Sequence, residues 1–101
     1  MTIKNILENK KVLFSFEIFP PKKQANFGNV INCAKELSNL KPDFMSITYG
    51  AGGTTKVNTV EIAQQIIGMG TPALAHLTCV GNTKDSIKET ITQMKNAGIE
   101  N

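Results

Sequence analysis

The sequence predicts an α/β chain of three consecutive strand–helix units, arranged like the first three units of a (β/α)8 TIM barrel. Two observations point there. Polar residues recur at Glu17, Thr48 and Thr78, at intervals of about 30 residues, which is the length of a βαβ repeat. Each stretch around them alternates between an apolar face and a face that turns polar towards its C-terminal end. An open doubly wound sheet would be apolar on both faces. In a barrel the outward face packs under helices, and the inward face meets the active site at the C-terminal mouth.

The elements follow in order. Residues Thr2 to Lys10 suit a short amphipathic helix, with Ile3, Ile6 and Leu7 on one face and Thr2 as its cap. A first strand runs from Val12 to Phe19. Val12, Phe14, Phe16 and Ile18 share one face, and Leu13, Ser15, Glu17 and Phe19 the other. Pro20 and Pro21 end it, because proline donates no ladder hydrogen bond. After a polar loop from Lys22 to Asn26, Phe27, Val30, Ile31, Ala34, Leu37 and Leu40 keep helical spacing. Lys41-Pro42-Asp43 breaks that helix, and a second strand extends from Phe44 to Tyr49. Ser46 and Thr48 share one of its faces.

Gly50-Ala51-Gly52-Gly53-Thr54-Thr55 leads into a second helix, with an apolar stripe of Val57, Val60, Ala63, Ile66 and Ile67. Glycines 68 and 70 stop it. A third strand spans Ala73 to Cys79, with His76 and Thr78 on its polar face. Thr83 is the expected N-cap of a last helix carrying Ile87, Ile91, Met94 and Ala97, and Asp85 suits its positive end. At 101 residues the chain is shorter than the ~250 residues of such a barrel. It stops where a fourth strand should begin, which would leave the third strand an unpaired edge. Residues 1–101 therefore read as the N-terminal segment of one longer barrel domain.

Composition excludes several classes. Hydrophobic content of 41% and charged content of 19% are those of a globular protein, and the net charge is +3. The lysines are scattered, with no arginine- or aromatic-rich stripe of the nucleic-acid type. No run reaches membrane-spanning length, and no address signal is evident, so a cytoplasmic location is expected. Cys33 and Cys79 form no Cys-x-x-Cys pair and suit free thiols.

Glu17 is the leading candidate for chemistry. A carboxyl among apolar neighbours favours its neutral form, and a protonated glutamate can act as a general acid. The alternative is a structural carboxylate hydrogen-bonded to Ser46 or His76. The segment from Gly50 to Lys56 follows a strand and opens a helix, a setting in which backbone N–H groups can cradle an anion. It matches neither the dinucleotide fingerprint, because Thr55 stands where the third glycine belongs, nor a Walker A loop. His76, the single histidine, has no paired ligand such as His-x-His, so no metal site is assigned.

Ser15-Phe16-Glu17-Ile18-Phe19-Pro20-Pro21 resembles the opening signature of the methylenetetrahydrofolate reductases. So do Ser46-Ile47-Thr48-Tyr49-Gly50-Ala51-Gly52-Gly53-Thr54-Thr55 and Ala75-His76-Leu77-Thr78-Cys79, in the family's order and spacing. The resemblance implies a flavin-dependent barrel enzyme of one-carbon metabolism and methionine synthesis. It would use FAD, with NADH or NADPH as hydride donor, to reduce 5,10-methylenetetrahydrofolate to 5-methyltetrahydrofolate. It further implies that Glu17 is the general acid and that Thr48 lies by the flavin. Tyr49, Ala51, His76, Leu77 and Thr78 would contact FAD, and the intact protein would be a homo-oligomer. Two other readings are a non-catalytic βα module and an unrelated barrel lyase or hydrolase using Glu17 and His76.

Overall fold

The computed structural model describes residues 1–49 and 56–101. Its elements are α1 (Ile3–Asn9), β1 (Ser15–Ile18), α2 (Phe27–Ser38), β2 (Phe44–Ile47), α3 (Lys56–Gly68), β3 (Ala73–Ala75) and α4 (Lys84–Asn96). A single 3-10 turn at Gln24–Asn26 lies within the expected polar loop. The strands form one parallel sheet in the order β1-β2-β3. Parallel neighbours need a crossover between them, and α2 and α3 supply the two crossovers.

The sheet is one-sided, as the alternation predicts. Ile18, Met45, Ile47 and Ala73 point to one side and cluster with Ala34 of α2, Ile62, Ala63 and Ile66 of α3, and Met94 of α4. Met45 and Ile47 of the central strand are fully buried. Ser15, Glu17, Ser46 and Leu74 occupy the opposite face, where each is exposed or half-buried.

Two strands are shorter than their alternation suggests. β1 begins at Ser15 rather than Val12, and Val12 and Phe14 are exposed. The reason lies in Asp43, the residue before β2. Its N–H donates to the Phe14 carbonyl, and its side chain accepts from the Phe14 N–H, each at 3.0 Å. The carboxylate thus takes the place of a strand partner and ends the ladder. β3 stops at Ala75 because β2 runs out beside it; the His76 N–H reaches the Ile47 carbonyl at 3.0 Å as the last cross-strand bond.

The outer edge of β3 is also not bare. The Ala75 N–H donates to the Asn101 carbonyl at 3.0 Å. The Asn101 side chain accepts from the Ile3 N–H at 2.8 Å and donates to the Met1 carbonyl at 3.2 Å. One amide therefore satisfies an orphan donor at the start of α1 and tethers that helix to β3.

The helical stripes differ in detail from the spacing read in sequence. In α3 the buried line is Thr59, Ile62, Ala63 and Ile66, and the side chain of Val57 lies outside the described residues. Leu40, beyond the C-cap of α2, is 63% exposed, because Lys41 turns the backbone to a φ of 54°. Leu7 and Ile91 are exposed, while Thr90 and Met94 face inward from α4. Thr2 caps α1 as expected, and Thr83 forms a reciprocal capping box with Ser86. Gly70 and Gly98 adopt φ values of 88° and 79°, which lets the next N–H bond back to the end of α3 and α4 respectively.

This packing ranks two aliphatic truncations. Ile47→Ala should cost about 2–5 kcal/mol through the cavity it leaves, whereas Leu40→Ala should stay within about 0.5 kcal/mol. Denaturant midpoints of the two variants check the order.

Asp43 carries a pH dependence. Hydrogen bonds from Lys10 and from the Phe14 N–H hold its carboxyl below the ordinary value of 3.8. A depressed folded-state value stabilises the protein above 3.8 and loses that contribution as pH falls through the lowered value. Asp43→Asn should therefore be less stable near neutral pH, and the deficit should shrink in acid. Thermal midpoints of both proteins, followed from neutral pH downwards, test the sign.

Candidate active site

The uncovered face of the sheet gathers most of the residues singled out by sequence. Period-two alternation brings Glu17 of β1 opposite Ser46 of β2, and Ser46 opposite Leu74 of β3. The positions that match across the sheet are therefore Glu17, Ser46 and Leu74, not Glu17, Thr48 and Thr78. Thr48 and His76 lie one step further along their strands, on the same face, at the carboxyl end of the sheet.

Glu17 is exposed, which removes the desolvation expected from its apolar neighbours. Its hydrogen-bond partner is neither Ser46 nor His76. The Thr48 hydroxyl donates to Glu17 Oε1 at 2.8 Å. Thr48 is placed for this by its own backbone, whose N–H donates to the Ile18 carbonyl at 2.9 Å. That bond carries the β1–β2 ladder one residue beyond Ile47 and fixes the threonine diagonally across from the acid.

The other predicted residues divide between the two faces. His76 is half-buried, and its ring makes no hydrogen bond to a described residue. Leu77 packs against the core from the helix side. Tyr49 is buried, and its hydroxyl accepts a long hydrogen bond of 3.4 Å from Asn82 Nδ2. The same amide donates to the Thr78 carbonyl at 2.7 Å, and Asn82 Oδ1 accepts from the Ser86 hydroxyl at 3.1 Å. Ala51 and the rest of 50–55 lie outside the described residues. Among the described residues no three His, Cys, Asp or Glu side chains gather into a metal-binding group, and Cys33 and Cys79 are free and exposed.

Sequence reasoning missed two residues around this site. Asn82, not singled out from the sequence, ties the carboxyl end of β2 to the loop after β3. Thr59 is fully buried in α3, and its hydroxyl donates to the Thr48 carbonyl at 3.3 Å. A threonine interrupting the apolar stripe at 59, 62, 63 and 66 was the available signal, because a buried hydroxyl requires a partner.

In chemical terms the face offers a solvent-accessible carboxyl on β1 held by the Thr48 hydroxyl, with the His76 imidazole on the far side of β2. A carboxyl so exposed is open to proton exchange. Among the described residues no helix is long and apolar enough to cross a membrane.

Comparison with known proteins bears on the same residues. Methylenetetrahydrofolate reductase (NADH) 1 of Arabidopsis thaliana is 36% identical over 98% of this chain. The 5,10-methylenetetrahydrofolate reductases of Buchnera aphidicola subsp. Acyrthosiphon pisum and Escherichia coli are each 37% identical, over 97% and 84% of the chain. The chain spans 17% of the plant protein and 33% and 29% of the two bacterial ones. The profile of the family described as methylenetetrahydrofolate reductase matches residues 2–101. By that match, which covers all three signatures, the chain belongs to the methylenetetrahydrofolate reductase family.

Proposed function

We propose that this chain contributes the first three βα units of a (β/α)8 barrel enzyme that reduces 5,10-methylenetetrahydrofolate to 5-methyltetrahydrofolate. The observation that carries this reading is the Thr48–Glu17 hydrogen bond of 2.8 Å at the carboxyl end of a parallel sheet. The acid stands on the face that no helix among the described residues covers, where a barrel of this type keeps its site.

The residues suit a flavin on that face. The His76 ring has unused hydrogen-bonding capacity towards the described residues, and Thr78 follows it in the segment after β3. Leu77 packs on the helix side, so it would offer its main chain rather than its packed side chain. FAD, if held there, would supply the hydride-transfer chemistry between a nicotinamide donor and the folate. The chain's own residues have different tasks. Glu17 delivers a proton to a folate nitrogen, so that the five-membered ring opens to an iminium able to accept hydride. Thr48 holds the carboxyl in one orientation between turnovers. The plant relatives are named for NADH, which makes it the first donor to try.

The intact protein should copurify with a yellow flavin. Glu17→Gln should keep reduction of that flavin by the nicotinamide and lose folate reduction by at least about a hundredfold, the usual contribution of a general acid. Stopped-flow measurement of the two half-reactions separates these outcomes. Folate reduction at the normal rate in that variant would remove Glu17 from the role.

A further inference from the structure

We infer that Thr59, buried in α3 and remote from any ligand, is a positioning residue that holds Thr48 against Glu17. The inference rests on the function proposed above for Glu17, and the hydrogen bonds that support it are those of the chain itself.

The argument starts from the Thr48 carbonyl. β2 ends at Ile47, whose carbonyl takes the last cross-strand bond from the His76 N–H. The next carbonyl, that of Thr48, lies past the ladder. A carbonyl leaving a sheet beside a packed helix needs a donor or loses the stabilisation of one hydrogen bond. The Thr59 hydroxyl supplies it at 3.3 Å from the first turns of α3.

The partner on the helix is rigid. Thr59 is 0% exposed, one turn before Ile62 and Ala63, which line the core. A β-branched side chain in a helix has few rotamers, and burial removes the remaining freedom. The Thr48 peptide is therefore fixed on both sides: its N–H by the Ile18 carbonyl at 2.9 Å, its C=O by Thr59. With both ends held, the hydroxyl of Thr48 reaches Glu17 Oε1 at 2.8 Å. The path runs from α3 through the end of β2 to the acid on β1, and each link is a hydrogen bond.

No hydrogen bond joins Thr59 to Glu17, and the described link from Thr59 towards the acid runs through the Thr48 carbonyl. That makes the inference separable from simple packing. Thr59→Val keeps the shape and removes the hydroxyl; Thr59→Ser keeps the hydroxyl and removes a methyl.

The test uses the full-length flavin-loaded protein that carries this chain, with two readouts. In single-turnover folate reduction, Thr59→Val and Thr48→Val should each be slower by about tenfold, the size of one hydrogen bond. The double variant should be no slower than Thr48→Val alone, because the two residues act in series. Thr59→Ser should stay within about twofold of the unaltered protein, since it retains the donor. The second readout needs no turnover. The carboxyl ¹³C resonance of Glu17 should move in Thr59→Val in the same direction as in Thr48→Val, while that of Asp43 stays in place.

A multiplied penalty in the double variant, or an unmoved Glu17 resonance in Thr59→Val, would overturn the inference. Should Thr59→Val not accumulate as folded protein, Thr59→Ala removes the same hydroxyl and carries the same expectations. The unaltered protein separates this inference from the function it rests on. If it fails to reduce the folate, the proposed function falls, and the resonance of Glu17 still decides whether Thr59 acts on the acid.

Discussion

Everything in this chain follows from a parallel sheet that is covered on one side only. Met45 and Ile47 of the central strand lose all solvent exposure under α2 and α3. At roughly 25 cal/mol per Å2 of apolar surface, such burial is the main favourable term available to a chain this small. Period-two alternation then leaves Ser46 and Thr48 facing the other way. The polar face is a geometric consequence of the core, and the residues of the candidate site stand on it because their neighbours are buried.

The two ends of the sheet are finished by different means. At the amino end, Asp43 uses its carboxylate and its backbone to close β1 against β2, and Lys10 joins the same carboxylate from the end of α1. Asn101 does the equivalent work at the far edge, linking α1 to β3. At the carboxyl end the closures fall on side chains alone: Thr59 on the Thr48 carbonyl, Asn82 on the Thr78 carbonyl. The end that stabilises and the end that holds the candidate site are thus separated by the length of four residues of strand, as in β1. A substitution at one end can alter stability without reaching Glu17.

The exposure of Glu17 changes how its role should be framed. A general acid is usually kept neutral by an apolar pocket. Here the acid stands in the open, with a hydroxyl donor on one oxygen. What this chain contributes to the proposed reaction is therefore orientation. The strand sets the position of the carboxyl, Thr48 sets its rotation, and α3 sets Thr48.

Much of this was legible in the residues. The strand–helix order, the apolar and polar faces and the caps at Thr2 and Thr83 depend on local periodicity and on nearest-neighbour chemistry. Three signatures in register also pointed to the family, which the profile match over residues 2–101 bears out. What the tertiary structure decided was everything that depends on register and on strand length. Alternation continues from Val12 to Phe19 and from Ala73 to Cys79, but a strand lasts only as long as its neighbour, so both are cut short. The same pairing set Glu17 against Ser46 and delivered its hydrogen bond from Thr48 instead of Ser46 or His76. Thr59 and Asn82 gained their partners from residues distant in sequence, and no local pattern encodes which carbonyl a buried hydroxyl or amide will meet.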